Sequence, residues 1–189
     1  TLVEGGVRFR VWAPRRHRVE VVLEGSPGAA RAAPLEPASA GFHQAVVAGA
    51  AAGTLYRFRL DGEQRLLPDP ASRFQPEGPD GPSEVIDPLA FPWPDAARPG
   101  AQLAGQVVYE IHIGTFTREG TWAAAARALE GLVDLGVTLL EVMPVAEWAG
   151  RFGWGYDGVD LYAPTRNYGR PDDFRAFVDR AHALGLGVR

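Results

Sequence analysis

The chain of 189 residues has no cysteine. That excludes disulfide scaffolds, thiolate metal sites and cysteine nucleophiles, and it fits a reducing cytoplasm. Lysine is missing as well: all 19 basic residues are Arg, which together with abundant Ala reads as codon bias. Long apolar runs are scarce, the longest mainly apolar uncharged stretch being Ala45 to Tyr56. A bilayer span takes roughly 20 residues, so membrane partnership is not expected. The opening Thr1-Leu2-Val3-Glu4 offers neither the basic n-region nor the apolar h-region of a secretory leader, and the absence of Met there suggests that it is not the native start. There is also no positive excess. The net charge is -4 with a pI near 5.6, and ten Arg face eleven acids in residues 1–92 against nine and twelve in 93–189. Nucleic acid is therefore a poor partner. His17, His43, His112 and His182 are scattered without ligand spacing, so no metal is expected. The Gly-rich stretch Gly150 to Gly158 lacks the Lys of a phosphate loop, so no nucleotide cofactor is expected.

What is present is enough for a packed core: 46% hydrophobic residues against 22% charged. Apolar and polar residues alternate in Val7-Arg8-Phe9-Arg10-Val11-Trp12, in Arg18-Val19-Glu20-Val21-Val22-Leu23 and in Thr54-Leu55-Tyr56-Arg57-Phe58-Arg59-Leu60. This is the signature of half-buried antiparallel strands. Turns are expected at Gly25, Pro27, Gly28, Gly41, Gly49, Gly53, Asp61 and Gly62. Short strands at this spacing predict a small β-sandwich over residues 1–92. Trp12 and Trp93 read as core or interdomain packing, and the Arg8/Arg10 and Arg57/Arg59 pairs as solvated strand faces.

Nine of the 16 prolines fall between Pro68 and Pro99. Proline has no amide donor and fits neither a central strand nor a helix interior, so this segment is an ordered connection or linker, with a domain boundary near residues 90–100. Beyond it the period changes. Val107 to Ile113 reads as a strand. Thr121 caps a helix with Trp122, Ala125, Leu129, Leu132 and Val133 on one face, stopped by Gly136. Val137 to Met143 reads as a second strand, followed by a loop of some 25 residues. Pro171 opens another helix that presents Phe174, Phe177, Val178, Ala181 and Leu184, with Arg170 where a Ser or Thr cap is expected. A third strand begins at Val188-Arg189. The order is a βαβα unit of a parallel sheet. Two strands and two helices cannot complete such a sheet, so the chain reads as the front part of a larger protein.

Val108-Tyr109-Glu110-Ile111-His112-Ile113-Gly114-Thr115-Phe116, Glu141-Val142-Met143-Pro144-Val145, Trp154-Gly155-Tyr156-Asp157-Gly158 and Tyr162-Ala163-Pro164 resemble, in this order, the alpha-amylase family (glycoside hydrolase family 13). The resemblance implies a multidomain β plus α/β chain. An immunoglobulin-like β-sandwich over 1–92, similar to family 48 carbohydrate-binding modules, would precede a (β/α)8 barrel over 93–189, truncated at the third strand. The seam segment Pro68 to Pro76, with Gly81-Pro82-Ser83-Glu84-Val85, most resembles the trehalose-releasing hydrolases of that family. They act on the α-1,4 bond beside the trehalose end of maltooligosyltrehalose without a cofactor. Branching and debranching enzymes are the alternative within the family, and a non-catalytic glucan-binding or scaffold module is the alternative outside it.

The family's chemistry needs two carboxylates flanking the glycosidic bond. By resemblance they sit after the fourth and fifth barrel strands, so no catalytic residue is expected in this chain, and Glu110 and Glu141 read as structural. Tyr156 would be the aromatic platform under the glucose at the cleavage subsite, with Trp154 as a second sugar-facing ring and Asp157 accepting a hydroxyl. Flat rings suit pyranoses because the C–H face of the sugar packs on them while polar groups meet the hydroxyls.

Overall fold

The computed structural model describes residues 1–24, 31–95, 98, 100–102 and 104–189. The turns expected at Gly25, Pro27 and Gly28 lie outside the described residues, as does Pro99. The first half carries β1 (Leu2–Val3), β2 (Gly6–Trp12), β3 (Val19–Glu24), β4 (Arg31–Pro37), β5 (Phe42–Val47), β6 (Leu55–Leu60), β7 (Leu66–Leu67) and β8 (Ser83–Glu84). Period-two alternation becomes geometry in β2, which buries Val7, Phe9 and Val11 and turns Arg8, Arg10 and Trp12 outward.

The hydrogen-bonded order is β1-β2-β5-β4-β3-β6-β7, with β8 also on β6, and every pairing is antiparallel. β4 turns the corner. Its residues 31–35 pair with β3, while Glu36 and Pro37 pair with β5. The sheet therefore curls until β2 faces β6, and the Phe9 ring meets Tyr56 edge-on at 4.8 Å although these strands are not neighbours. Val7, Phe9, Val11, Val19, Val21, Leu35, Val47, Tyr56 and Phe58 fill the space between. Each such side chain contributes about 1.5–3 kcal/mol by leaving water.

Two expectations on the outer faces are corrected. Trp12 is 62% exposed, its indole donating to the Ala40 carbonyl at 3.0 Å, because β2 places it on the outward phase of the pleat. Trp93 is also partly exposed and packs against Phe91 at 4.7 Å. Arg57 and Arg59 are half-buried rather than solvated. They reach the carboxylates of Glu24 at 2.6 Å and Glu20 at 3.8 Å on β3, which the pairing register sets beside them.

The proline-rich segment is ordered by side chains where backbone ladders are unavailable. Tyr56 donates to Asp69 at 2.7 Å, the Asp69 N–H donates to Ser83 Oγ at 2.9 Å, and Gln75 is fully buried with its amide on the Gly78 and Gly81 carbonyls.

The second half carries β9 (Val108–Ile111), α1 (Ile113–Phe116), α2 (Trp122–Asp134), β10 (Leu139–Val142), β11 (Ala146–Glu147), β12 (Asp160–Pro164), a 3-10 turn (Arg166–Tyr168), α3 (Pro171–Ala183) and β13 (Gly187–Val188). β13, β10 and β9 form a parallel sheet. Thr121 caps α2 by accepting from the Ala124 N–H at 3.3 Å. In α3 the work of the absent Ser or Thr falls to Asp173. Its carboxylate accepts the Arg170 N–H at 2.7 Å, and its own N–H donates to the Arg170 carbonyl at 3.0 Å. Trp122 stacks on Phe174 with ring centres 4.2 Å apart and tilts against Phe177 at 5.3 Å, so the apolar faces of α2 and α3 seal one core with Ile111, Leu129, Leu140 and Leu186.

Two local expectations differ. The strand expected to run to Ile113 stops at Ile111, because the His112 carbonyl accepts from the Thr115 and Phe116 N–H groups and starts α1. The expected long loop contains β11 and β12, which pair antiparallel with Glu147 opposite Asp160. Strands this short leave no readable alternation.

The halves meet through ionic and aromatic contacts. Arg170 pairs with Glu84 and lies over the Phe74 ring at 4.9 Å, and Arg175 donates to the Asp87 carbonyl at 3.3 Å.

Candidate functional site

Parallel strands deliver their following residues to one end of the sheet. His112 leaves β9 there, and Met143-Pro144 leaves β10. The segment 148–159 arches over this end from β11 to β12 and carries Phe152, Trp154 and Tyr156, all largely exposed.

Glu147 anchors the start of the arch. It is fully buried and accepts from the Trp148 N–H at 3.1 Å, the Arg166 N–H at 2.7 Å and the Arg166 guanidinium. Burial pushes its carboxyl up, opposed by Arg166. The same guanidinium donates to the carbonyls of Trp148 and Gly150, each at 3.3 Å, and Asn167 adds a bond to Gly150 at 3.1 Å. A second anchor comes from β9: His112 Nε2 lies 3.0 Å from the Gly153 carbonyl and 3.0 Å from the Tyr168 hydroxyl, with Nδ1 3.2 Å from Thr115 Oγ1. Gly155 presses its backbone on the strand exit; a Cβ there would sit 2.3 Å from the Pro144 oxygen, and its φ of +96° is a conformation that side chains disfavour.

Trp154 and Tyr156 stand edge-to-face with ring centres 6.0 Å apart, 71% and 67% exposed. Asp157 is exposed beside them. A cavity of about 480 Å³ opens beneath the arch, lined by His112, Gly114, Thr115, Trp148, Phe152, Gly153, Trp154 and Tyr168. Of the three residues expected in the site, Trp154 lines this cavity, while Tyr156 and Asp157 do not. Glu147, Arg166, Tyr168 and Phe152 were not expected in the site. No spacing rule links an acid to an Arg 19 residues later; only the 3-10 turn after β12 brings them together.

The acids here are poorly disposed for bond cleavage. Glu147 is tied up by Arg166 and two backbone amides. Asp160, buried opposite it, has its carboxyl pushed up to about 6, first by burial and then by the charges of Glu147, Asp80 and Asp69. Glu141 meets Arg189 at 3.4 Å and Glu110 faces solvent. Among the described residues no group of three His, Asp or Glu is arranged to hold a metal ion. The arrangement offers aromatic surface on a braced loop, which suits binding.

Residues 1–90 match carbohydrate-binding module 48, the isoamylase N-terminal domain. Over 98% of its length the chain is 44% identical to the malto-oligosyltrehalose trehalohydrolase of Rhizobium sp. (strain M-11), and over 97% it is 45% identical to that of Deinococcus radiodurans. The chain is a relative of the malto-oligosyltrehalose trehalohydrolases. It spans 31% and 29% of those two proteins. It is also 36% identical, over 97% of its length, to the 1,4-alpha-glucan branching enzyme GlgB 2 of Xanthomonas euvesicatoria pv. vesicatoria, covering 26% of that protein. In structure it is similar to a Salmonella typhimurium protein assigned provisionally to the alpha amylases, with a TM-score of 0.88 and 46% identity over 96% of this chain and 30% of the other. The match of residues 1–90 to carbohydrate-binding module 48 accords with the mostly β first half and its curled sheet. No helix among the described residues is long and apolar enough to cross a membrane.

Proposed function

We propose that this chain is part of a glycoside hydrolase that cleaves the α-1,4-glucosidic bond adjacent to the trehalose end of maltooligosyltrehalose and releases trehalose. The observation that carries this reading is the 44% identity to a trehalohydrolase across 98% of the chain. In this reading residues 1–92 are an immunoglobulin-like β-sandwich, and residues 93–189 open a (β/α)8 barrel. The parallel strands β9, β10 and β13, with α2 and α3 as crossovers, support that assignment. Tyr156 serves as the platform under a glucose ring, Trp154 as a second ring, and Asp157 as a hydroxyl acceptor. Their exposure at the carboxyl end of the strands, where barrel enzymes build their sites, supports these roles. The nucleophile and the acid/base of the retaining mechanism belong to later strands of the parent enzyme, and residues 1–189 supply binding surface. The parent, proposed to work in the cytoplasm in trehalose biosynthesis, is assayed with maltooligosyltrehalose. Trehalose release is expected; free glucose or branch transfer without trehalose refutes the reading.

The similarity to a branching enzyme favours branch transfer as the second reading, and the same assay separates the two. The outward Trp12, with Arg10 over the neighbouring Phe42 ring at 3.8 Å, favours a glucan contact on the first half. Maltoheptaose titrations of the chain and of Trp12→Phe then differ in fluorescence response if that contact exists.

A further inference from the structure

We infer that Arg166 is the positioning residue of the aromatic loop, and that the proline-rich segment around Gln75 and Gly78 is its backing, so that part of the first half is built into the sugar site. The sugar role rests on the reading proposed above; the positioning does not.

One guanidinium makes the joint. Its nitrogens reach the Glu147 carboxylate, the Trp148 carbonyl and the Gly150 carbonyl, which belong to three positions at the root of the arch. A planar fork with five donors can satisfy these together, whereas an ammonium offers a point charge to one or two of them. From Gly150 the chain needs only three residues to reach the second anchor at the Gly153 carbonyl, and Trp154 follows directly. Without the guanidinium, Gly150 keeps only the Asn167 bond at 3.1 Å, so Trp154 and Tyr156 sit on a loop held mainly from the Gly153 side.

The far face of the guanidinium rests on another part of the chain. A Cβ on Gly78 would lie 3.2 Å from Arg166 Cζ, 3.2 Å from Nη1 and 3.3 Å from Nη2. A side chain there would press the plane back by a few tenths of an ångström, against the acceptors that hold its edge, and φ at Gly78 is +96°, which also favours glycine. Gly78 is itself fixed: its N–H donates to the Gln75 carbonyl at 3.2 Å, and the buried Gln75 amide donates to the Gly78 carbonyl at 3.2 Å and to the Gly81 carbonyl at 3.3 Å. The segment between β7 and β8 thus acts as a floor for Arg166. A merely structural ion pair would need Glu147 alone; the two loop carbonyls and the glycine floor are what a positioning role adds.

The test uses the whole chain and three variants, Arg166→Met, Arg166→Lys and Gly78→Ala, with Gly62→Ala as control. Gly62 has a similar φ of +76° but nothing within 4 Å, so it carries the backbone strain without the contact. Backbone amide exchange is read over 149–156, and maltoheptaose binding is read from tryptophan fluorescence. Arg166→Lys keeps a charge opposite Glu147, so its unfolding midpoint stays near that of the parent chain. Its 149–156 amides nonetheless exchange about tenfold faster and its maltoheptaose affinity falls by about fivefold or more, as expected when one local anchor opens. Gly78→Ala moves both readouts in the same direction, and Gly62→Ala moves neither. Unchanged exchange over 149–156 in Arg166→Lys or Arg166→Met overturns the inference. If both Arg166 variants fail to fold, Gly78→Ala against Gly62→Ala decides it, equal exchange counting as refutation. If the parent chain does not bind maltoheptaose while exchange responds as expected, the sugar reading falls and the positioning role stands.

Discussion

Replacing Gly155 by Ala isolates how the arch is held. The new Cβ would sit 2.3 Å from the Pro144 oxygen and 3.2 Å from its carbon. Carbon and oxygen approach without a covalent bond to about 3.3 Å, so the loop must retreat by about 1 Å. The left-handed φ of +96° adds strain of about 1–3 kcal/mol for a residue with a side chain. The two together give an expected loss of about 2–4 kcal/mol of stability. Gly150→Ala is the matched control: φ there is +87° with nothing within 4 Å, so only strain of about 1–2 kcal/mol applies. Urea unfolding of both variants gives the two losses directly, provided their slopes match that of the parent chain. Tyr156 adjoins the displaced residue, and a misplacement of about 1 Å in a binding constellation can cost up to about a hundredfold in function, so maltoheptaose binding weakens further in Gly155→Ala than in Gly150→Ala. Equal stability losses in the two variants would refute the close-packing argument, whatever the sugar titration shows.

Other perturbations probe the surroundings. The carboxyl of Asp160, raised above its ordinary value to about 6, is protonated in the folded chain where the unfolded chain has already released its proton. Stability should therefore decline as pH rises from about 4 through about 6, and Asp160→Asn should flatten that decline in denaturation curves recorded across this window. Phe177→Ala empties a fully buried position beside Trp122 and should cost about 3–5 kcal/mol in chemical unfolding. On the proposed reading the carboxylate pair belongs elsewhere in the parent, so purified residues 1–189 should release no trehalose from maltooligosyltrehalose; measurable release would contradict that assignment.

Much of the architecture was legible because it repeats. β2, β3 and β6 announce themselves by alternation, and α2 and α3 by apolar residues every three or four positions between Thr121 and Gly136 and after Pro171. The pieces that escaped notice are too short to repeat. β11 spans two residues, the 3-10 turn three, and α1 four. Trp12 illustrates the limit from the other side: composition predicts a packed indole, but its phase in the pleat sends it outward.

The amino-acid sequence by itself determined the switch from antiparallel strands to a parallel βα order, the absence of thiol chemistry, and the aromatic motif Trp154-Gly155-Tyr156 with its likeness to sugar-cleaving enzymes. Periodicity and motif are properties of neighbours along the chain, so the chain displays them. Only the tertiary structure decided that Glu147 and Arg166, 19 residues apart, root the aromatic loop, that His112 steadies it from another strand, and that Gly78 supports Arg166 from the proline-rich segment. Those contacts join residues up to 88 positions apart in sequence, from Gly78 to Arg166. They exist because folding brings a buried charge, its planar partner and a side-chain-free backbone to one place, which no local pattern encodes.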